Sequence, residues 1–153
     1  MHRKGAEAQR ENEITNRVIG FAIEVHRSLG PGLLESTYEE CLCYELAQHQ
    51  MPFRRQLPLP VLYKVIQLEC GYRMDLVLDD LVIIEVKAIE RLLPIHEAQL
   101  LTYLKLAGKS VGLLINFNVP VLRTGLKRIV NHFPDSSAPL RLGGENSNAP
   151  ALS

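Results

Sequence analysis

The sequence predicts an α/β (α+β) domain in which a mixed central sheet carries flanking helices. Three observations predict this class. Apolar residues recur at helical spacing through the first 50 residues, and segments rich in valine, isoleucine and leucine follow them. A further helical pattern then precedes a last, almost wholly apolar run. The predicted element order is α-α-β-β-β-α-β-α, with helices packed against the sheet.

The first two helices are separated by a rigid turn. Apolar residues repeat at helical spacing from Ile14 to Leu29, and Asn12 is a candidate cap. The helix ends at Gly30-Pro31-Gly32, because glycine accepts a left-handed terminus and proline cannot continue a helix. A second helix is predicted from about residue 34 to residue 50.

The middle of the chain predicts strands. The stretch "FRRQLPLPVLY" predicts an irregular edge strand, because its two prolines cannot donate to a sheet ladder. The stretches "VIQLECGYRMDLVL" and "LVIIEVKA" predict a hairpin that turns at Asp79-Asp80.

The remaining stretches complete the domain. The stretch "IHEAQLLTYLKLAG" predicts a helix capped by Gly108, "SVGLLINF" a buried strand and "LRTGLKRIVN" a final helix. We expect one domain over residues 12–133, with flexible tails at 1–11 and 134–153.

Composition excludes several classes of protein. The 17 basic and 17 acidic side chains give zero net charge, so nothing indicates whole-surface attraction for nucleic acid, although a local basic patch stays open. No apolar run reaches the roughly 18 residues of a membrane span, and the polar start does not resemble a secretion signal. The three cysteines lack zinc-site spacing and predict buried, reduced thiols. We therefore expect a cytoplasmic protein that does not associate with a membrane.

The sharpest chemical signal lies in the predicted hairpin. Asp75 ends one strand segment, and Glu85 and Lys87 lie on one face of the next strand because side chains alternate. Burying these charges is unfavourable unless each finds a partner. Two neighbouring carboxylates favour a divalent cation between them, and magnesium prefers oxygen ligands. The residues alone leave open a plain ion pair of Lys87 with Asp75 or Glu85.

The hairpin register decides whether the two carboxylates can meet. A strict two-residue turn at Asp79-Asp80 would place Asp75 opposite Ile84 and turn Glu85 to the other face. A three-residue loop would align Asp75 with Glu85. We therefore predict a longer loop or a bulge.

These residues resemble a known superfamily. Asp75, then Glu85-x-Lys87 across a hairpin, followed by a helix and a buried strand, is similar to the PD-(D/E)xK nuclease superfamily. Gly32-x-x-Glu35-x-x-Tyr38 resembles the signature of the small bacterial and archaeal GxxExxY proteins. The resemblance covers roughly residues 14–131 and implies a prokaryotic protein with a restriction-endonuclease-like core.

The resemblance also implies roles for individual residues. Glu35 matches the position of a further acidic group near the metal, which gives Glu35, Asp75 and Glu85 as Mg²⁺ or Mn²⁺ ligands with Lys87 beside them. Gln99 and Tyr103 resemble a Gln-x-x-x-Tyr motif that supports the site or contacts the nucleic-acid backbone, and they share one helix face. Tyr38 is expected in the core, with its hydroxyl bonded, and a site carboxylate is one candidate partner. Helix capping by Glu35 is the competing interpretation.

Two functions follow as expectations. The first is a magnesium-dependent, nuclease-like phosphodiesterase that acts on nucleic acid, DNA more than RNA. The second is a non-catalytic scaffold that keeps the fold and binds nucleic acid or protein. Zero net charge and small size favour a homodimer or a protein partner in either case. Another phosphate ester as substrate stays open.

Overall fold

The computed structural model describes residues 5–133. Its helices are α1 (Ala6–Leu29), α2 (Glu35–Gln48) and α3 (Pro94–Ala107), with a short 3-10 helix at Leu122–Gly125. Its strands are β1 (Phe53–Pro58), β2 (Val61–Tyr63), β3 (Ile66–Leu68), β4 (Arg73–Leu78), β5 (Val82–Lys87), β6 (Val111–Asn116) and β7 (Leu126–Val130).

Five of these strands form the central sheet. Their order is β1-β4-β5-β6-β7, and β5 and β6 are parallel while the other neighbours are antiparallel. The sheet is therefore mixed. Helix α3 lies between β5 and β6 in the chain and supplies the crossover connection that a parallel pair requires. This arrangement confirms the predicted α/β class with flanking helices.

The two faces of the sheet are covered by different helices. On one face, α1 and α2 bury an apolar cluster that includes Ile14, Val18 and Leu42 against Ile84 and Ile115. Ile14 and Val18 are four residues apart in α1, which places them on one side of that helix. This cluster is the larger of the two that hold helices to the sheet.

The other face carries α3 and a smaller cluster. Leu100, Tyr103 and Leu104 pack there with Val77 and Ile83. Alternate residues of β4 and β5 point to this face, so Asp75 and Glu85 share it with Val77 and Ile83.

The loop between β4 and β5 has three residues. The last cross-strand pair is Leu78 with Val82, which leaves Asp79, Asp80 and Leu81 in the loop. Asp79 and Asp80 both adopt left-handed backbone, with φ of 52° and 58°, which aspartate tolerates better than most residues. The predicted longer loop is confirmed.

The last predicted helix is wrong. Leu122–Gly125 forms one 3-10 turn, and Leu126–Val130 forms the edge strand β7. Strand β7 pairs antiparallel with β6, which already pairs with β5 on its other side. The open edge of the fully buried β6 is satisfied by a strand, and this tertiary pairing overrides the local helical pattern.

The first strand of the predicted hairpin is also shorter than expected. Its beginning, Ile66–Leu68, pairs with Val61–Tyr63 in a separate two-stranded hairpin, which we call the small hairpin (residues 61–68). Only Arg73–Leu78 joins the central sheet. The edge strand predicted over residues 53–63 is confirmed for β1 alone, because Val61–Tyr63 belongs to the small hairpin.

The chain ends differ in part from the expectation. Helix α1 begins at Ala6, so residues 6–11 are helical and Glu11 is buried. Residues 1–4 and the predicted tail at 134–153 lie outside the described residues. No helix within residues 5–133 is long and apolar enough to cross a membrane.

The cysteines are free thiols in different environments. Cys43 is buried and Cys41 is partly buried, whereas Cys70 is exposed, so the expectation of three buried thiols is wrong for Cys70. Cys70 lies in the irregular segment between β3 and β4.

Candidate active site

The centre of the candidate site is the carboxylate pair formed by Asp75 on β4 and Glu85 on β5. The Cα pairing of these strands ends at Leu76 and Ile84, and continuing that register places Asp75 opposite Glu85. The backbone N–H of Asp75 donates to Glu85 Oε2 at 3.0 Å, and the N–H of Val86 donates to Asp75 Oδ2 at 2.9 Å. Side-chain oxygens thus accept two backbone donors where the ladder ends, and each carboxylate is held by the opposite strand.

Burial makes this pair electrostatically costly. Glu85 is only 5% exposed. Burial first, and then the neighbouring charge of Asp75, raise the pKa of Glu85 to about 8 against the opposing effects of the N–H of Asp75 and the ammonium of Lys87. Burial likewise raises the pKa of Asp75, against the N–H of Val86 and the amide of Gln56. The pair therefore attracts positive charge, as a proton or as a cation.

Lys87 lies two residues after Glu85, on the same face of β5 and half-buried. Its charge lowers the pKa values of both carboxylates, so it lies within electrostatic reach of each. Within the described residues no ion pair of 4.0 Å or less joins Lys87 to either one. The plain ion pair left open by the sequence is not formed.

The backbone after Lys87 is held by a buried asparagine. Asn116 is 1% exposed and bonds Ile89 twice, accepting its N–H at 3.0 Å and donating to its carbonyl at 3.0 Å. The side-chain oxygen of Asn116 also accepts the N–H of Asn118. This double contact fixes the chain as it leaves β5 and so limits where Lys87 can lie.

Glu35 begins α2 at the edge of the same region. Its Oε2 accepts the N–H of Ala88 at 3.4 Å, which brings it to the residue after Lys87. Glu35 also lines a cleft of about 580 Å³ together with Asp75. The structure therefore places Glu35 on the same cleft as Asp75, with its side chain exposed.

Tyr38 has a structural partner rather than a site carboxylate. It is fully buried and stacks on Phe117 with ring centroids 4.5 Å apart. Its hydroxyl donates to the carbonyl of Gly30 at 2.6 Å and accepts the N–H of Leu33 at 3.1 Å. The expected core position is confirmed, and the candidate bond to a carboxylate is corrected. Through these two hydrogen bonds Tyr38 stabilises the turn that precedes Glu35.

Gly32 explains the first position of the same motif. Its φ of 100° lies in the left-handed region that a side chain disfavours. The turn therefore needs glycine where the motif has it, and Glu35 follows three residues later.

Gln99 and Tyr103 share a face of α3, as predicted. Gln99 Nε2 donates to the Tyr103 hydroxyl at 3.2 Å. Tyr103 packs on the sheet face that holds the pair, and its pKa is raised by burial first and then by the charge of Glu85. Gln99 and Tyr103 therefore lie near the carboxylates, and the described part of the chain shows no direct hydrogen bond between them and either carboxylate.

The two histidines that neighbour these elements have structural contacts. His96 Nδ1 accepts the N–H of Leu93 at the start of α3. His26 Nε2 lies 2.7 Å from the carbonyl of Val119. Neither contact involves the carboxylate pair.

Sequence reasoning missed a second polar cluster against the site. Glu39, one turn after Glu35, is 7% exposed and accepts Arg55 Nε at 2.6 Å. Gln56 Nε2 lies 3.1 Å from both oxygens of Glu39 and 3.3 Å from Asp75 Oδ1. Glu39 sits one helical turn after a residue already singled out, which is the signal that could have found it. Gln56 had no comparable signal.

The fit of a divalent cation can be judged from these oxygens. Within residues 5–133 there is no group of three or more His, Cys, Asp or Glu side chains arranged to hold a metal. Magnesium, however, is commonly held by one or two carboxylates plus waters and substrate phosphates. Half-buried Asp75 and buried Glu85, two carboxylates with raised pKa values, fit that donor set.

Comparison with known proteins places the chain. A family model described as the PD-(D/E)XK nuclease superfamily matches residues 12–129. Comparisons with curated proteins and with solved structures gave no significant match. The matched range contains the whole central sheet except the last residue of β7, and it includes Asp75, Glu85 and Lys87. The chain therefore belongs to the PD-(D/E)XK nuclease superfamily.

Proposed function

We propose that the protein is a magnesium-dependent nuclease that hydrolyses phosphodiester bonds of nucleic acid. The observation that carries this proposal is the carboxylate pair of buried Glu85 and half-buried Asp75, which lies beside Lys87, a lysine without an ion pair among residues 5–133. Such a cluster is unfavourable for stability, so its retention needs a use. Superfamily membership supports nuclease-like phosphodiesterase chemistry and a nucleic-acid substrate.

In this proposal the carboxylates bind the ion. Asp75 and Glu85 hold Mg²⁺, or Mn²⁺ in its place, and Glu35 adds negative charge from α2 to the same cleft. When bound, the ion supplies positive charge that polarises the phosphate and lowers the pKa of a water. Backbone donors contact Asp75 Oδ2 and Glu85 Oε2, and the amide of Gln56 approaches Asp75 Oδ1. A carboxylate oxygen has two lone pairs, so these contacts still leave acceptor capacity for an ion.

Lys87 supplies the other charge. Its ammonium orients the attacking water or stabilises the negative charge that develops on the phosphate oxygens. The two hydrogen bonds between Asn116 and Ile89 hold the chain after β5 and so support the position of Lys87. Gln99 and Tyr103, which face the same side, support the site or contact the substrate backbone.

The kind of nucleic acid and the partners of the protein go beyond what family membership implies. We propose DNA rather than RNA as the substrate, and a homodimer or a protein partner that supplies basic surface. Basic side chains near the site are candidate phosphate contacts. Arg55 is engaged by Glu39 and Glu40, so the exposed Arg54 of β1 and Arg73 of β4 are better candidates. Membership of the GxxExxY proteins and a cytoplasmic location remain predictions.

The test is a cleavage assay with matched variants. Wild type, Asp75→Ala, Lys87→Met and the exposed control Glu90→Ala are incubated with single- and double-stranded DNA and RNA, with Mg²⁺ or Mn²⁺. We expect metal-dependent cleavage by wild type and Glu90→Ala, and a loss of at least about 100-fold in the two site variants. Equal rates in wild type and Asp75→Ala would contradict the proposal.

A second candidate is a binding module without catalysis. The small hairpin favours it, because Leu62, Val65 and Ile66 are 65%, 95% and 51% exposed. Exposed apolar surface of this kind is typical of a protein contact. This candidate predicts a loss of oligomer in Leu62→Asp/Val65→Asp by sedimentation, with no metal-dependent cleavage in any sample.

A further inference from the structure

Gln56 has a backbone conformation that its place in the fold does not require. It lies within β1, where its neighbours Arg55 and Leu57 pair with Leu76 and Met74 of β4. Its φ is nevertheless 53°, in the left-handed region that a long side chain disfavours. Such a conformation in the middle of a strand persists only where surrounding contacts enforce it, and it is a pointer to function.

The side chain of Gln56 shows what enforces the conformation. Its amide nitrogen lies between two carboxylates, 3.1 Å from both oxygens of Glu39 and 3.3 Å from Asp75 Oδ1. Glu39 is itself fixed by Arg55 at 2.6 Å. The amide is therefore anchored on one side by the buried carboxylate of Glu39, which is paired with the partly exposed Arg55, and presents its donor to Asp75 on the other side.

This contact completes the support of Asp75. The N–H of Val86 already holds Oδ2 at 2.9 Å, and Gln56 approaches Oδ1. With a donor on each oxygen, the plane of the carboxylate is fixed relative to Glu85. A second partner of this kind orients a metal ligand and is commonly worth 10- to 100-fold in metal affinity.

We propose that Gln56 is a positioning residue that sets the orientation of the Asp75 carboxylate for a divalent cation, and that its left-handed backbone serves to aim its amide there. The inference rests on the proposed function, since it takes Asp75 as a ligand. It assigns a role to the chain beyond the acidic and lysine residues of the site.

The test separates backbone relief from loss of the amide. Gln56→Gly removes the amide and accepts the left-handed backbone. Gln50→Gly is the matched control, because Gln50 is an exposed glutamine with φ of 58° at the end of α2. Melting temperature and Mn²⁺ binding, measured by calorimetry with the metal alone, are compared with wild type.

We expect both variants to melt within a few degrees of wild type or above it. Only Gln56→Gly is expected to weaken Mn²⁺ binding, by roughly 10-fold or more. If Gln56→Gly does not fold, Gln56→Asn replaces it, because asparagine tolerates the left-handed region while its shorter side chain withdraws the amide. The same loss of affinity is expected there.

Three results would overturn the inference. Unchanged affinity in a folded Gln56 variant, with binding in wild type, removes the positioning role and leaves the proposed function intact. Equal weakening in Gln50→Gly assigns the effect to the backbone rather than to the amide. No Mn²⁺ binding by folded wild type overturns both this inference and the proposed cation site.

Discussion

Glu85→Gln should stabilise the metal-free protein at alkaline pH. In the folded protein burial and Asp75 raise the pKa of Glu85 from 4.5 to about 8. Below about pH 4.5 both the folded and the unfolded chain hold this proton, so its contribution to stability is fully present. Between pH 4.5 and 8 the unfolded chain has lost the proton and the folded chain keeps it, so the free energy of unfolding falls as pH rises.

The size of the effect follows from the same two values. Each tenfold change in proton affinity is worth about 1.4 kcal/mol, so the fall is on the order of 3–5 kcal/mol by pH 8. That is a large share of the roughly 5–15 kcal/mol that stabilises a domain. The amide of glutamine has no proton to lose and can still accept the N–H of Asp75.

The assay is urea unfolding in chelator at pH 5, 6.5, 8 and 9. Glu85→Gln is compared with wild type and with the exposed control Glu90→Gln. We expect the wild type and the control to lose stability between pH 5 and 8 and Glu85→Gln to lose much less, so that the curves cross. Parallel curves for all three proteins would refute the reasoning that burial holds the proton on Glu85.

Three further predictions concern the support of the site. Tyr38→Phe removes the hydroxyl from Gly30 and Leu33 and should lower the free energy of unfolding by about 1–2 kcal/mol in urea. Gly32→Ala forces a side chain to φ of 100° and should lower the same quantity by about 1–3 kcal/mol. Asn116→Ala removes both bonds to Ile89 and should reduce cleavage more than Mn²⁺ binding, measured on one folded sample.

Each of these predictions has a result that would contradict it. A Tyr38→Phe variant as stable as wild type would show that the turn before α2 holds without the hydroxyl. The same outcome for Gly32→Ala would mean that the turn relaxes to another backbone. An Asn116→Ala variant with full cleavage would remove the proposed link between the chain after β5 and Lys87.

Much of the carboxylate pair could be predicted because strands alternate. Asp75 and Glu85 can face each other only if the loop between the strands has an odd number of residues. The structure has the three-residue loop 79–81. A difference of one residue in loop length decides whether Asp75 and Glu85 lie on the same face of the sheet. The sequence favoured the three-residue loop only because that register brings the two carboxylates together.

The last element could not be predicted because its structure is decided by a neighbour. Leu126–Val130 carries two exposed charges, Lys127 and Arg128, which suit a helix surface and an edge strand equally. The unpaired edge of β6 decides between them. Local pattern carries no information about that edge.

The second polar cluster was hidden for a similar reason. Glu39 lies on α2 and Gln56 on β1, and only the packing of that helix against the edge strand brings them together. A left-handed glutamine within a strand contradicts local propensity. Departures of this kind are expected where a site overrides local preference.

The measurement that tests the central claim most directly is Mg²⁺ and Mn²⁺ binding to metal-free protein by calorimetry at pH 8. Wild type, Asp75→Ala, Glu85→Ala and the exposed control Glu90→Ala are titrated after each is shown to be folded. The account predicts one binding event in wild type and control that is absent from both site variants. Wild type that stays folded and binds neither ion at millimolar concentration would contradict the claim that the carboxylate pair is a cation site.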